Sequence, residues 1–526
     1  VNTMDFFNAA DFLVHRQVRE GIGDKVALIG SHTRTYRELS DDVARLAGGL
    51  RALGLRPNDR VVMVMSDGVE MATAILATFH AGLIAVPAST MLTGGELEQI
   101  LRDAGARAVI ATGEYVEAVL PGVESCSDIG NLVVIDAEAD LMFRPLRADL
   151  RVHLWADLLD DPQVPALTEP DTAALWLYTS GTTGKPKAAM HRHANIRHVY
   201  ESFGRRTLNI RQEDRCLSVA KMFFAYGIGN SLFFPLAAGG TAVLQPLRPT
   251  PDSMRERMVS TAPSLFFAVP TFYSSLVQSE LPDDSFASVR LCVSAGEVLP
   301  VAVHSQFKNR FGVDILDGIG STEALHIFLS NRPDDIQPGT TGKPVPGYQI
   351  EVRDDEGRTV APGVPGDLYV CGESIAAGYW QRPEANQAVF QGGWLRTGDT
   401  YVIDESGYYR CLGRSNDLLK AGGIWVAPAE VEGRLLEHPS VAEAAVVGAP
   451  GEDGIDKPVA LVVRVPGHDD VGAAELIEWC RRGLAAFKLP RAVEFSTELP
   501  KTATGKLQRY RVREMMAHVV TPRVAQ

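Results

Sequence analysis

Nowhere in the 526 residues does the chain keep up an apolar run of roughly 18, the length a membrane-spanning helix needs. Its opening residues, Val1-Asn2-Thr3-Met4-Asp5, lack the basic and apolar regions of a secretory signal, so a soluble, cytoplasmic protein is expected. Cysteine is sparse. Cys126, Cys216, Cys292, Cys371, Cys411 and Cys480 form no C-x-x-C pair, which speaks against a zinc site and a disulfide framework and leaves them as packing residues. Basic charge is not in excess either. With a formal net charge of −14 and no concentrated basic face, the chain is poorly suited to nucleic acid. Such a chain can still bind polyphosphates through backbone amides, a divalent cation and a few local cations.

Apolar residues make up 45% of the chain, enough to fill the about two to four units its length suggests. Tyr36 to Leu53 carries apolar residues at helical spacing, Arg60 to Met65 is a short apolar strand, and Met71 to His80 is helical again. This alternation recurs at Ala108 to Ala111, Leu132 to Ile135, Leu265 to Val269 and Val289 to Ser294. It indicates an α/β fold with parallel strands, as two stacked α/β subdomains. From Gly347 the texture changes to short strands and turns, a β-rich subdomain. After Gly413-Arg414 a third texture begins: a helix at Ala429 to Glu437, strands at Val441 to Val447 and Val459 to Val465, a helix at Ala473 to Leu484 and a basic tail. The predicted domains are residues 1–415 and a small α+β unit, 416–526.

The densest chemical signal is Tyr178-Thr179-Ser180-Gly181-Thr182-Thr183-Gly184-Lys185-Pro186-Lys187. The apolar run Ala173 to Leu177 before it reads as a buried strand, so hydroxyls and amides at its end can converge on phosphate oxygens, with glycine letting the backbone approach. A kinase-type loop needs G-x-x-x-x-G-K-[ST]. Here the glycines are too close together and Pro186 follows Lys185, so the phosphate is bound in a different fold.

With this loop the chain resembles the adenylate-forming superfamily, and five further motifs follow in that family's order. They are Ser294-Ala295-Gly296-Glu297, Gly320-Ser321-Thr322-Glu323, Thr397-Gly398-Asp399, Gly413-Arg414 running to Gly422-Gly423, and Pro500-Lys501-Thr502-Ala503-Thr504-Gly505-Lys506. Within the superfamily, Phe223 to Asn230 and Asp317 to Phe328 look most like benzoate and hydroxybenzoate CoA ligases. The resemblance implies a large N-terminal body, a mobile C-terminal lid hinged at Ser415 to Asp417, and ATP, Mg2+ and CoA as participants.

Carried over residue by residue, the resemblance assigns Thr179, Ser180, Gly181, Thr182, Thr183, Gly184 and Lys187 to the phosphates. Gly296, Glu297, Asp317, Gly318 and Ser321 fall to the nucleotide, and Asp399 and Arg414 to the ribose and its phosphate. Glu323 resembles the magnesium carboxylate and Thr322 a phosphate contact; a partly hydrated cation needs only one or two protein oxygens. The same Ser-Thr-Glu string could also cap a helix. Lys506 would bring positive charge to the meeting point of carboxylate and α-phosphate, although its basic surroundings alone read as a solvated tail. Gly422 and Gly423 would open a channel for the CoA arm. At the hinge this chain has Asn416 where the family usually has aspartate or lysine, and Ile319 replaces an aromatic beside the adenine. The acid pocket falls to Ala225, Tyr226, Gly320, His326 and Ile327, although a lone histidine is also an ordinary core residue.

The expected activity is AMP-forming ligation of benzoate or a hydroxy- or aminobenzoate to CoA. An aryl-AMP ligase loading a carrier-protein thiol shares every motif; only about twenty residues follow Lys506, so a carrier would act in trans. Intact Lys506, Glu323, Asp399 and Arg414 speak against a catalytically inert regulator. Monomer and homodimer are both compatible with the sequence.

Overall fold

The computed structural model describes residues 6–136, 145–180, 186–414, 419–421, 424–450, 456–468, 470–501 and 507–516. Two large sheets dominate. In the first, seven strands run in the order Arg151–Leu154, Asn131–Ile135, Ala108–Thr112, Arg60–Val64, Ile84–Pro87, Ala173–Ser180 and Pro186–Arg192. All pairings are parallel except the last, a hairpin. The second has nine strands, with Leu291–Ser294 pairing in parallel to both Leu265–Ala268 and Ile315–Gly320.

A strand covered on both faces must be apolar at every position, and Val61 to Val64 is. Val61 and Met63 face the core shared by both large sheets, while Val62 and Val64 face the helices Gly94–Ala104 and Val116–Ser125 on the other side. Helix Tyr36–Ala52 begins where expected because Thr35 and Glu38 form a reciprocal capping box, each binding the other's backbone N–H. Its buried residues Leu39, Val43, Leu46 and Leu50 lie three and four apart and form the stripe that packs into the shared core.

The β-rich segment is a five-stranded antiparallel sheet holding Gln349–Arg353, Gly366–Cys371, Trp394–Ile403, Phe390–Gln391 and Tyr409–Arg414. Beyond it, Val441–Pro450 and Asp456–Arg464 pair antiparallel, and Ala492–Ser496 adds a parallel third strand. Val446, Ala460 and Val462 face one side of this small sheet, packed by helices Pro428–Leu436 and Ala473–Arg481, and Ala445, Val447, Val459 and Leu461 face the other. The expected basic tail is in part a helix, Arg509–Met516, which buries Val512 and Met516 against that second face. The six cysteines carry free thiols. Among the described residues no helix is long and apolar enough to cross a membrane.

Candidate active site

The expected phosphate loop joins two paired strands. Ala174 to Leu177 are buried, and the antiparallel register sets Tyr178 opposite Ala188, Thr179 opposite Lys187 and Ser180 opposite Pro186. Thr179 and Lys187 therefore share the neck of the hairpin. Gly181, Thr182, Thr183, Gly184 and Lys185 lie outside the described residues, as do Asn416, Gly422, Gly423 and Lys506. Below the neck, the Tyr178 hydroxyl donates to Asp103 Oδ2 at 2.8 Å, and Arg382 pairs with the other oxygen. The open edge of Pro186–Arg192 is covered by the segment Ala377 to Trp380: Ala377 N–H donates to Met190 O at 2.8 Å, Met190 N–H to Gly378 O at 2.9 Å, and Trp380 N–H to Ala188 O at 3.0 Å.

Ser321 to His326 form a turn between strands Ile315–Gly320 and Ile327–Ser330, so Glu323 caps no helix. Ser321 Oγ accepts from Ala324 N–H at 3.1 Å, and Leu325 takes a positive φ of 66°. Gly320 is required by close approach, since a Cβ there would lie 2.4 Å from the His326 carbonyl oxygen. Glu323 Oε1 accepts from the Tyr379 hydroxyl at 2.5 Å, and its carbonyl from Ala376 N–H at 2.8 Å.

The turn is also held from beneath. The Thr322 carbonyl accepts from His191 Nε2 at 2.8 Å, while Asn195 Nδ2 donates to His191 Nδ1 at 3.1 Å. These partners require the neutral ring protonated on Nε2, and burial pushes the histidine down to about 4.

The residues that the resemblance assigns to the nucleotide line up along adjacent strand ends. Ser294 pairs in register with Asp317, and both are buried. Ser294 Oγ and Asp317 Oδ1 find no hydrogen-bond partner among the described residues, and burial pushes the Asp317 carboxyl well above the usual range. Buried polar atoms left in this way are what a polar ligand satisfies. Gly296 follows with φ 97° and leads into Glu297. Asn331 Nδ2 donates to Asp317 O at 3.1 Å and to Thr340 O at 2.8 Å, and the next residue, Thr341, donates its N–H to Tyr409 O at 2.8 Å in the β-rich sheet. In that sheet Asp399 and Arg414 are direct cross-strand partners, with Arg414 Nε 3.2 Å from Asp399 Oδ1 and a second guanidinium N–H on Thr397 O at 3.0 Å. Asp399 is buried, whereas the Arg414 side chain is 59% exposed.

The five residues that the resemblance assigns to an acid pocket converge. Ala225 and Tyr226 begin a short helix, and the Tyr226 hydroxyl donates to Val293 O at 3.0 Å, with Ala268 O at 3.3 Å. That hydroxyl is committed to the sheet, which leaves the ring face as the tyrosine's contribution to a slot. The His326 ring lies 5.5 Å from the Tyr226 ring and packs on Phe203 and Phe234 at 5.4 and 4.5 Å. Its Nε2 meets Asn230 Oδ1 at 3.2 Å, and burial holds it neutral, down to about 3. Ile327 pairs with Gly320. Sequence reasoning assigned no role to His191, Asn195, Asn230 or Tyr379, of which only Asn230 stood inside a motif.

As for a metal, no group of three or more His, Cys, Asp or Glu side chains among the described residues could hold one. A single carboxylate, Glu323, oriented by a tyrosine hydroxyl, suits a partly hydrated Mg2+, which takes few protein oxygens.

Comparison with known proteins places the chain in a family. Residues 14–380 match the AMP-binding enzyme family and residues 430–506 the AMP-binding enzyme C-terminal domain. The chain is 42% identical to the benzoate–CoA ligase of Thauera aromatica over 96% of each chain. Among solved structures it resembles a benzoate CoA ligase from Burkholderia xenovorans LB400, at 41% identity and a TM-score of 0.88, covering 96% of this chain and 100% of the other. It also resembles an anthranilate CoA ligase in complex with anthranoyl-AMP, at 36% identity and a TM-score of 0.89 over 97% of each. With the AMP-binding enzyme family matched over residues 14–380 and a relative 42% identical over 96% of each chain, this chain belongs to the adenylate-forming family of AMP-binding enzymes.

Proposed function

We propose that this enzyme activates benzoate, or a small hydroxy- or aminobenzoate, and transfers it to CoA. In the first step the carboxylate attacks the α-phosphorus of ATP and pyrophosphate leaves. In the second the CoA thiol attacks the acyl-adenylate carbonyl and AMP leaves. The observation that carries this reading is the position of Gly320. It packs on the backbone of His326 and Ile327 at the slot, and it also opens the Ser321-Thr322-Glu323 turn. An aryl ring seated against Tyr226 and His326 thereby has its carboxylate directed to the Thr322–Glu323 turn.

The remaining roles follow from chemistry. A carboxylate is a poor electrophile, and positioning with charge neutralisation accounts for most of the catalysis of phosphoryl attack. Glu323 would hold a Mg2+ ion, which would supply neutralising charge at the phosphates. Asp399 accepts the ribose hydroxyls with Arg414 fixed against it, Ser294 and Asp317 offer polar atoms at the adenine edge, and Thr179 and Lys187 face the phosphates from the hairpin neck. Lys506 stabilises the charge that builds between carboxylate and α-phosphate. The chain divides into a body, 1–415, and a lid, 416–526. Rotation at Asn416 then exchanges Lys506 for the Gly422-Gly423 segment, which admits the CoA arm. The thiol acceptor is free CoA rather than a carrier protein in trans.

ATP–pyrophosphate exchange with a panel of aryl and aliphatic acids tests the reading. Benzoate or a small substituted benzoate is expected to give the highest kcat/KM. A medium-chain fatty acid exceeding every aryl acid would leave only the adenylate-forming class standing.

A further inference from the structure

Tyr379 belongs to none of the motifs above, yet it touches two of the groups they contain. Its hydroxyl donates to Glu323 Oε1 at 2.5 Å, a short charge-assisted bond, and Lys187 Nζ sits 5.5 Å from the centroid of its ring. Fifty-six residues separate it from Glu323 along the chain, so the fold alone brings the three groups together.

The tyrosine is itself tightly held. Its N–H donates to Asn386 Oδ1 at 2.6 Å and its carbonyl accepts from Asn386 Nδ2 at 2.9 Å, so one asparagine grips both sides of its backbone. The ring meets Phe390 edge-on at 5.3 Å, and the backbone bridges to Ala189 beside the hairpin neck. Gly378, at φ 138°, makes the bend that lets this happen; a Cβ there would press on Asn386 at 3.2 Å. Burial first, and the Glu323 charge second, push the phenol well above its ordinary range, which keeps it a proton donor to the carboxylate.

We propose that Tyr379 is a positioning residue that couples the metal carboxylate to the phosphate hairpin: its hydroxyl fixes the Glu323 carboxylate for a divalent cation while its ring seats the Lys187 ammonium. Donors to a ligating carboxylate fix its orientation, and losing one costs roughly 10- to 100-fold in metal affinity. A glutamate on a turn has rotatable bonds to spare, and a hydroxyl anchored by Asn386 and Phe390 removes that freedom. The proposal rests on the reading of Glu323 as the cation's ligand.

The test measures benzoate-dependent pyrophosphate release by the full-length enzyme against Mg2+ concentration at saturating ATP. Tyr379→Phe, which keeps the ring, is expected to raise the half-saturating Mg2+ concentration by about tenfold or more, with most of the rate recovered at high Mg2+. The KM for benzoate and the melting temperature should stay near the parent's. A Mg2+ dependence identical to the parent's overturns the hydroxyl's role. Glu323→Gln separates the two layers. If it shifts the Mg2+ curve while Tyr379→Phe does not, only the Tyr379 proposal falls; if neither does, the reading of Glu323 falls with it. Tyr379→Leu removes the ring as well and should further raise the KM for ATP. Equal ATP KM values in the Phe and Leu variants would refute the seat for Lys187.

Discussion

Taking the protein from about pH 7.5 to about pH 5.5 puts protons on histidines of the unfolded chain that the folded chain does not accept. His191, His193 and His326 are 0%, 0% and 2% exposed, and burial pushes them from 6.5 down to about 4, about 3 and about 3. Between 6.5 and those values the unfolded state binds more protons, so stability rises with pH and is lost on acidification. One unit below the ordinary histidine value, each ring costs about 1.4 kcal/mol, about 4 kcal/mol for the three. Asp67 works the other way. Burial raises it to about 6 against the pull of Lys221, so the folded state binds its proton first and offsets about 1 kcal/mol over the same interval. Asp317, raised well above the usual range by burial, adds to that offset, and His80, pushed down to about 4, adds to the loss; the contribution of the three rings alone is a large part of a typical stability of about 5–15 kcal/mol. Urea unfolding followed by tryptophan fluorescence at both pH values measures it, in the parent and in His193→Gln. Glutamine keeps an acceptor for the Ala9 N–H that His193 Nδ1 binds at 3.1 Å, but takes up no proton. The variant should lose about 1.4 kcal/mol less than the parent on acidification. An identical loss in both would show that His193 does not contribute in this way.

Lys506→Ala should lower adenylate formation by roughly a hundredfold or more while a supplied aryl-adenylate is still converted to thioester, because the charge is needed only at the first transition state. A bulky residue at Gly422 or Gly423 should do the reverse, sparing pyrophosphate release and blocking thioester synthesis; equal damage to both half-reactions in either set contradicts the division of labour. His326→Ala removes the ring packed between Tyr226, Phe203 and Phe234 and should lower kcat/KM for benzoate by about tenfold or more with ATP KM nearly unchanged. Unaltered benzoate kinetics would remove His326 from the slot.

The body of the fold was legible because its elements announce themselves locally. The capping box at Thr35 and Glu38 starts a helix within a residue of the expected bounds, and unbroken apolar runs such as Val61 to Val64 suit only a strand covered on both faces. Ala492–Ser496 escaped notice because it is short and carries a glutamate in its middle. Arg509–Met516 was masked by its basic residues, although Val512 and Met516 stand four apart on one face. At the site, hydroxyl- and glycine-rich strings were readable as strings. The groups that hold them were not: His191 meets Thr322 across 131 residues and Tyr379 meets Glu323 across 56, and no local period records such a pairing. For Tyr226 the sequence indicated the ring but not that its hydroxyl is spent on the carbonyls of two strands.

Product identity tests most directly whether one site joins an aryl acid to CoA through an adenylate. Purified enzyme is incubated with ATP, Mg2+, benzoate and free CoA, and thioester and nucleotide are quantified together by mass spectrometry. Benzoyl-CoA and AMP are expected in equal amounts, with pyrophosphate released and no ADP formed. Benzoyl-adenylate that accumulates and hydrolyses without thioester until a phosphopantetheinylated carrier protein is added would contradict it.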